Sequence, residues 1–247
     1  MSLLSVRNLT RRYGGLTAVN DVTFDLREGE ILGLMGANGA GKTTLFSMIA
    51  GNVAPSSGQI LLDDRPIHGR RPEQVSALGV ARTFQIVRPF PTLSVLDNVM
   101  VGRLYGRSRT RSSREAERFC RALLDEVGLG DRAHVPAASL TLAGRKRLEI
   151  ARALATQPKV LLLDEVLAGL NATEVDTALT LLAEVRERYG LSIIIIEHVM
   201  KALMRLSHHI VVLHEGKKIA EGVPEAVANN PLVIKAYLGE RRDVQPA

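Results

Sequence analysis

The feature that most constrains this chain of 247 residues is a short glycine-rich segment, Gly36-x4-Gly41-Lys42-Thr43. It follows an apolar run, Ile31–Met35, which we predict to be a strand, and it precedes Lys42–Ala50, whose apolar spacing predicts a helix. Glycines allow backbone N–H groups to close around phosphate oxygens, and a helix N-terminus adds a partial positive charge. A strand, a glycine-rich turn and a helix in this order therefore predict a phosphate-binding loop.

Each residue type in this loop suits one part of a nucleoside triphosphate with its metal ion. The Lys42 side chain would reach the β- and γ-phosphates, and the Thr43 hydroxyl would ligate Mg²⁺. The alternative is a glycine-rich turn that only caps a helix. The residues expected to bind nucleotide in this segment are Gly36, Asn38, Gly39, Ala40, Gly41, Lys42, Thr43 and Thr44.

Polar residues also follow two other predicted buried strands. Asp164 and Glu165 come directly after Val160–Leu163, and His198 closely follows Ile193–Ile196. Ligands bind beyond the carboxyl ends of strands in an open parallel sheet. We therefore expect Asp164 to hold Mg²⁺ through a water and Glu165 to orient the attacking water as general base. An acidic pair alone is common in loops, and a structural histidine is an equal alternative to a γ-phosphate contact by His198.

The order of strand and helix patterns predicts an α/β fold. The first 70 residues are mostly strand patterns, residues 86–158 carry helical patterns broken by proline and glycine, and residues 159–247 alternate again. Such alternation implies a largely parallel sheet covered by helices. We expect one domain, with 1–85 and 159–247 as a nucleotide-binding core and 86–158 as an inserted helical subdomain. The helices predicted in the chain after residue 86 include Ser94–Val101, Arg114–Val127, Thr141–Ala155 and Thr173–Arg188, the last with a capping arrangement at Asn171–Glu174.

Composition and charge narrow the cellular setting. The apolar runs fall far short of the roughly 20 residues that cross a bilayer, and the N-terminus lacks the pattern of a secretory signal. We therefore expect a cytoplasmic protein that reaches a membrane only through partners.

The net charge is +6, and seven arginines lie within Arg103–Arg121. No aromatic residues alternate with them, which favours a solvated face or anionic headgroups over a nucleic-acid partner. The lone cysteine, Cys120, fits a reducing compartment and is expected to be packed.

Together these residues resemble the nucleotide-binding subunits of ABC transporters over essentially the whole chain. Residues 36–43 and Leu161–Glu165 look like the Walker A and Walker B motifs, and Leu140–Leu154 resembles the signature motif and its helix. The resemblance implies a P-loop NTPase core with a mixed, largely parallel sheet, an N-terminal antiparallel β region and an inserted helical subdomain. It adds these site residues: Tyr13 to stack on adenine, Gln85 as the Q-loop glutamine at the reaction centre and the metal, His198 as the switch histidine, and Thr141 to contact the partner's nucleotide.

Several strings look more narrowly like the ATPase subunits of branched-chain amino-acid importers. They are Tyr13–Asn20, Ala81–Phe90, Ala168–Asn171 and Ile196–His198. Urea and amide importers and a lipopolysaccharide-export ATPase are close relatives of that group. The resemblance implies ATP and Mg²⁺, a second ATPase subunit in a homodimer or heterodimer, and membrane-spanning permease subunits. It also implies an external substrate-binding protein as an indirect partner, and a position on the inner face of the cell membrane.

The sequence departs from the family pattern at three places. The signature usually reads Leu-Ser-Gly-Gly-Gln, whereas this chain has Leu140-Thr-Leu-Ala-Gly144. Val166 stands where proline is usual, and Asn171 where aspartate is common. These changes leave open a regulatory subunit that binds ATP and hardly hydrolyses it. Two further alternatives are a soluble ABC ATPase of translation or DNA repair and a small-molecule kinase with a phosphate loop.

Overall fold

The computed structural model describes residues 2–83, 89–108, 110, 112–197 and 200–238. The strands are β1 (Ser2–Tyr13), β2 (Leu16–Arg27), β3 (Ile31–Met35), β4 (Ser57–Leu62), β5 (Arg65–Pro66), β6 (Val80–Arg82), β7 (Val160–Asp164), β8 (Ser192–Ile196), β9 (His209–His214) and β10 (Lys217–Gly222). The helices are α1 (Lys42–Ile49), α2 (Pro72–Leu78), α3 (Val95–Tyr105), α4 (Ser113–Glu126), α5 (Leu142–Ala155), α6 (Ala172–Tyr189), α7 (Met200–Leu206), α8 (Pro224–Ala228) and α9 (Pro231–Leu238).

The strands form an antiparallel sheet and a mostly parallel one, as predicted. The antiparallel sheet has the order β2-β1-β4-β5, and the larger sheet has the order β10-β9-β3-β8-β7-β6. In the larger sheet β9, β3, β8, β7 and β6 run parallel, and β10 pairs antiparallel with β9 at one edge. The carboxyl ends of β3, β8 and β7 consequently meet at one edge of the sheet.

The central strands β3, β8 and β7 of the larger sheet are buried on both faces, and most of their residues are apolar. In β8, Ile193 and Ile195 pack in one hydrophobic cluster, and Ile194 and Ile196 pack in the other. This alternation follows from the period of two residues along a strand. Full burial of an isoleucine side chain stabilises a fold by roughly 1.5–3 kcal/mol. A continuous apolar strand is therefore what a sheet between two layers requires.

One layer contains the long helices of the middle of the chain. Helices α3, α4 and α5 pack on one another. Residues of α5 such as Leu148 share a hydrophobic cluster with Leu161 of β7 and Ile193 of β8. Cys120 of α4 is fully buried, and burial raises the pKa of its thiol to about 11. The expectation of a packed cysteine is confirmed.

Most predicted helices and strands are present in the structure, but their ends differ, and three elements, among them the two-residue strand β5, were not predicted. Helix α3 runs on to Tyr105, four residues beyond its predicted end at Val101. Helix α2 and strand β6, which lie between the antiparallel sheet and the residues around Gln85, were not predicted. Within the part of the chain that is described, no helix is both long enough and apolar enough to span a bilayer.

The N-terminus of α6 carries the predicted capping box. The Asn171 side chain accepts a hydrogen bond from the Glu174 N–H at 3.0 Å, and the Glu174 carboxylate accepts one from the Asn171 N–H at 2.9 Å. These bonds satisfy backbone donors that a helix start otherwise leaves unpaired. They also define where the loop after β7 ends and the helix begins.

We expect Asn171→Ala to lower the free energy of unfolding by about 1 kcal/mol, because the Glu174 N–H at the start of α6 loses its acceptor. Urea denaturation followed by circular dichroism measures this change. Thr173→Ala is the matched control, since it lies at an exposed position of the same helix and leaves the capping box intact. Equal stabilities of the two variants would contradict the capping role.

Candidate active site

The loop between β3 and α1 has a backbone that only glycine accommodates at its two ends. Gly36 has φ +153°, and a Cβ there would lie 2.4 Å from the Leu213 carbonyl oxygen. Gly41 has φ +100°, and a Cβ there would lie 2.4 Å from the Ala18 carbonyl oxygen. Both contacts are far closer than carbon and oxygen tolerate, so the glycines let this loop approach its neighbours.

The turn between β9 and β10 supports the loop from one side. The Gly216 N–H donates to the Ala40 carbonyl at 3.1 Å, and the Gly216 carbonyl accepts from the Asn20 N–H at 2.8 Å. The turn therefore ties the loop both to the hairpin and to β2. Because the loop is held by backbone hydrogen bonds, its own N–H groups keep a defined arrangement.

Lys42 spans the loop that precedes it. Its ammonium donates to the Gly36 carbonyl at 2.6 Å and to the Ala37 carbonyl at 3.0 Å. The side chain is nearly buried, and this burial lowers the lysine pKa, while the nearby carboxylates of Glu165 and Asp164 partly oppose the shift. The positive charge thus lies between the loop and the acidic pair.

These elements surround a cleft of about 810 Å³. Tyr13, at the end of β1, lies at this cleft, and the Arg11 guanidinium stacks 4.4 Å from the centroid of its ring. The residues that line the cleft are Tyr13, Leu16, Thr17, Ala18, Asn38, Gly39, Ala40, Gly41, Lys42, Thr43, Thr44, Glu165, Glu215 and Gly216. All the predicted loop residues except Gly36, which lies at the base of the loop, are among them.

Five of the lining residues were not predicted from the sequence: Leu16, Thr17, Ala18, Glu215 and Gly216. The first three lie at the start of β2, within the string Tyr13–Asn20 that had been noted without a role for them. The last two form the turn between β9 and β10. Their proximity to the phosphate loop is a tertiary contact that no local pattern reports.

The acidic pair lies at the carboxyl end of β7. Asp164 is almost fully buried, and its Oδ2 accepts a hydrogen bond from Arg82 Nη2 at 2.8 Å. Its Oδ1 is also buried and has no hydrogen-bond partner within the described ranges. Glu165 has φ +52°, an uncommon backbone for a residue other than glycine, and its N–H donates to the Ile196 carbonyl at 2.9 Å.

This arrangement suits a magnesium ion. Mg²⁺ prefers oxygen ligands and binds proteins through one or two carboxylates together with substrate phosphates. A buried carboxylate oxygen that finds no donor among the described residues is costly unless a ligand satisfies it. Asp164 provides such an oxygen close to the loop lysine, and Thr43 provides a hydroxyl at the cleft.

Arg82 is a site residue that the sequence analysis missed. It belongs to the short edge strand β6, and it donates from Nη1 to Ser47 Oγ on α1 at 3.0 Å as well as to Asp164. Its guanidinium therefore joins the helix of the phosphate loop to the acidic end of β7. The side chains of Arg82 and Asp164 are only 11% and 2% exposed, so this is a buried ion pair.

The remaining predicted site residues are Thr141, Gln85 and His198. Thr141 caps α5, where its Oγ1 accepts from the Gly144 N–H at 3.2 Å, and it does not line the cleft. The neighbouring Leu142 is 48% exposed. Gln85 and His198 lie outside the described residues, so their predicted roles stay predictions.

Taken together, a glycine loop between a strand and a helix, a lysine that spans it and an acidic pair at the carboxyl end of β7, a strand of the same sheet, define a P-loop nucleotide-binding domain. Comparison with known families makes the assignment more specific. The ABC transporter family matches residues 19–168, and the branched-chain amino acid ATP-binding cassette transporter family matches residues 217–243. The chain belongs to the ABC transporter family.

Individual relatives agree with this. The chain is 43% identical to the high-affinity branched-chain amino acid transport ATP-binding protein LivG of Salmonella typhimurium, covering 96% of this chain and 98% of the relative. It is 41% identical, over the same shares, to BraF of Pseudomonas aeruginosa, which carries the same description. Among solved structures, the ADP conformation of the ATP-binding cassette MJ1267 matches with a TM-score of 0.87 and 26% identity, covering 97% of this chain and 99% of that one.

We expect Arg82→Met to lower the free energy of unfolding by about 3–5 kcal/mol, because it leaves the Asp164 carboxylate buried without its cation. Chemical denaturation at neutral pH measures the loss.

The matched control is Arg205→Met, which removes the ion pair between Arg205 and Asp176, whose side chains are 57% and 61% exposed. An exposed pair contributes about 0.2–1 kcal/mol. If both variants lost the same small amount, the buried pair would not hold the acidic end of β7.

Proposed function

We propose that this chain is the ATP-binding and ATP-hydrolysing subunit of an ABC importer for branched-chain amino acids or related small amides. The observation that carries the proposal is the convergence of Lys42 and Glu165 on one cleft beside the phosphate loop. The substrate class is supported by the relatives, since LivG and BraF are described as branched-chain amino acid transport ATP-binding proteins. It is also supported by the family match over residues 217–243.

In this proposal ATP lies along the cleft. The exposed ring of Tyr13 stacks on adenine, and because Arg11 already covers one side of that ring, the base uses the other side. Backbone N–H groups of the loop and the Lys42 ammonium bind the phosphates. Asp164, Thr43 and Gln85 would hold Mg²⁺, which supplies charge neutralisation at the phosphates when bound.

Hydrolysis then depends on the carboxylate that follows Asp164. Glu165 accepts a proton from the attacking water and orients that water toward the γ-phosphorus. The other two proposed catalytic residues are His198 and Gln85. In this proposal His198 contacts the γ-phosphate, and Gln85 contacts the water or the metal. The strands β7 and β8 supply the framework, because Glu165 and Glu197 each directly follow one of them.

The partners follow from the incomplete coverage of the nucleotide. One phosphate loop surrounds one side of a triphosphate, and phosphoryl transfer needs dipoles around the γ-phosphate. We propose a second ATPase subunit whose signature segment covers the other side, so that Thr141 of this chain faces the partner's nucleotide. Residues 86–158 form the helical subdomain, and 86–100 transmit closure to permease subunits at the inner face of the membrane. A substrate-binding protein is an indirect partner.

A second candidate is a regulatory subunit that binds ATP and hydrolyses it slowly. The signature segment favours this reading, since Leu142 and Ala143 stand where the family usually has glycines and Leu142 is 48% exposed. A bulky apolar side chain at that position keeps backbone N–H groups from a partner's phosphate. Multiple-turnover ATPase assays of the complex co-purified from cells distinguish the two candidates.

We expect Lys42→Met to weaken ATP binding by about 1.5–3 kcal/mol, the range for hydrogen bonds to charged groups. Titration with a fluorescent ATP analogue in the presence of Mg²⁺ measures this loss. Lys159→Met, at a partly exposed ion pair with Asp63, is the control. Unchanged ATP affinity in Lys42→Met would contradict the phosphate role.

We expect Glu165→Gln to retain ATP binding and to slow hydrolysis by ~10²- to 10⁴-fold, because the amide cannot take the proton from water. Single-turnover hydrolysis of ATP with Mg²⁺ measures the chemical step. The exposed Glu187→Gln on α6 is the matched control. Turnover of Glu165→Gln at the rate of the parent would refute the assignment of the base.

A further inference from the structure

Glu165 has a backbone conformation that needs support. Its φ of +52° lies in the left-handed region, which residues with a Cβ occupy infrequently. Such a backbone persists where surrounding contacts over-determine it. A shift of φ or ψ at this residue would swing its carboxylate away from the cleft, so whatever holds the backbone also aims the carboxylate.

Contacts on both sides of Glu165 provide that support. On the amino side, its N–H donates to the Ile196 carbonyl of β8 at 2.9 Å. On the carboxyl side, its C=O accepts from Lys146 Nζ at 3.0 Å and from the Ala168 N–H at 3.2 Å. The Leu167 N–H of the same turn donates to Glu197 Oε1 at 2.7 Å. The loop after β7 is thus held by β8, by Lys146 and by the Glu197 carboxylate.

Lys146 is unusual among these contacts because it comes from a different layer. It belongs to α5, and only 6% of its surface is exposed. Burial lowers the pKa of its ammonium, and the carboxylates of Glu197 and Glu165 oppose that effect. A buried ammonium is costly unless it is hydrogen-bonded and near opposite charge, and both conditions are met here at the loop that carries the proposed base.

We propose that Lys146 is a positioning residue for ATP hydrolysis, which holds the Glu165 backbone in its left-handed conformation and ties it to helix α5. This inference rests on the proposed role of Glu165 as general base. It also links two parts of the site, because α5 begins at Thr141, the residue proposed to face the partner's nucleotide. A displacement of α5 against the sheet is passed to Glu165 through one hydrogen bond.

The test compares Lys146→Met and Lys146→Arg in the full chain. Met keeps the length and apolar packing of the stem and removes the donor, whereas Arg keeps a donor and the charge. We expect Lys146→Met to slow single-turnover hydrolysis of Mg-ATP by about 10- to 100-fold, the scale of a small misplacement of a catalytic group. ATP affinity should change less than about threefold, and Lys146→Arg should recover most of the rate. Lys159→Met is again the control.

Combination with Glu165→Gln separates positioning from a general loss of structure. If Lys146 acts through Glu165, adding Lys146→Met to Glu165→Gln should leave the residual rate unchanged, because nothing is left to position. If the double variant lost a further factor equal to that of Lys146→Met alone, the lysine would act elsewhere and the inference would be overturned. A parallel fall of ATP affinity and rate in Lys146→Met would overturn it as well.

The two proposals fail in different ways. If Glu165→Gln hydrolysed ATP at the rate of the parent, the assignment of Glu165 as the base would be refuted, whatever the result for the Lys146 variants. Slow turnover of Glu165→Gln together with wild-type turnover of Lys146→Met removes only the positioning role. Should Lys146→Met not fold, Lys146→Leu, which also removes the donor, is judged by the same rate, affinity and double-variant criteria.

Discussion

The site depends on the parallel pairing of three adjacent strands. Leu34 of β3 aligns with Ile196 of β8, and Ile196 aligns in turn with Asp164 of β7. The three strands therefore end at the same edge of the sheet. The phosphate loop, the acidic pair and the residues after β8 all begin at that edge. A shift of one residue in either pairing would turn the alternating side chains to the opposite faces. In the observed register, Ile193 and Ile195 lie in one apolar cluster, and Ile194 and Ile196 lie in the other.

Much of this could be predicted from local patterns. Glycine spacing located the phosphate loop, apolar runs located β3, β7 and β8, and the capping arrangement located the start of α6. Each of these signals lies within a few neighbouring residues, where backbone preference and side-chain periodicity act directly. The rule that ligands bind at the carboxyl ends of parallel strands then predicts that the loop and the acidic pair lie close together.

The parts that were missed depend on contacts between distant segments. Strand β6 has three residues, too few to display a period, and it exists because it pairs with β7. The ion pair between Arg82 and Asp164 could therefore not be predicted from the sequence. Lys146 lies in a helix rich in arginine and lysine, where the ordinary expectation is a solvated side chain. Its burial depends on a loop nineteen residues further along, which folds back over α5.

The buried thiol of Cys120 has a practical consequence. It is the single cysteine of the chain, it is fully buried in the helical layer, and its raised pKa keeps it protonated at neutral pH. Reagents that react with thiolates are therefore expected to leave Cys120 unmodified in the folded molecule. A cysteine introduced on the surface can therefore be labelled with a fluorophore or spin label while Cys120 stays unlabelled. Distance changes between two labelled layers can then be measured without first replacing Cys120.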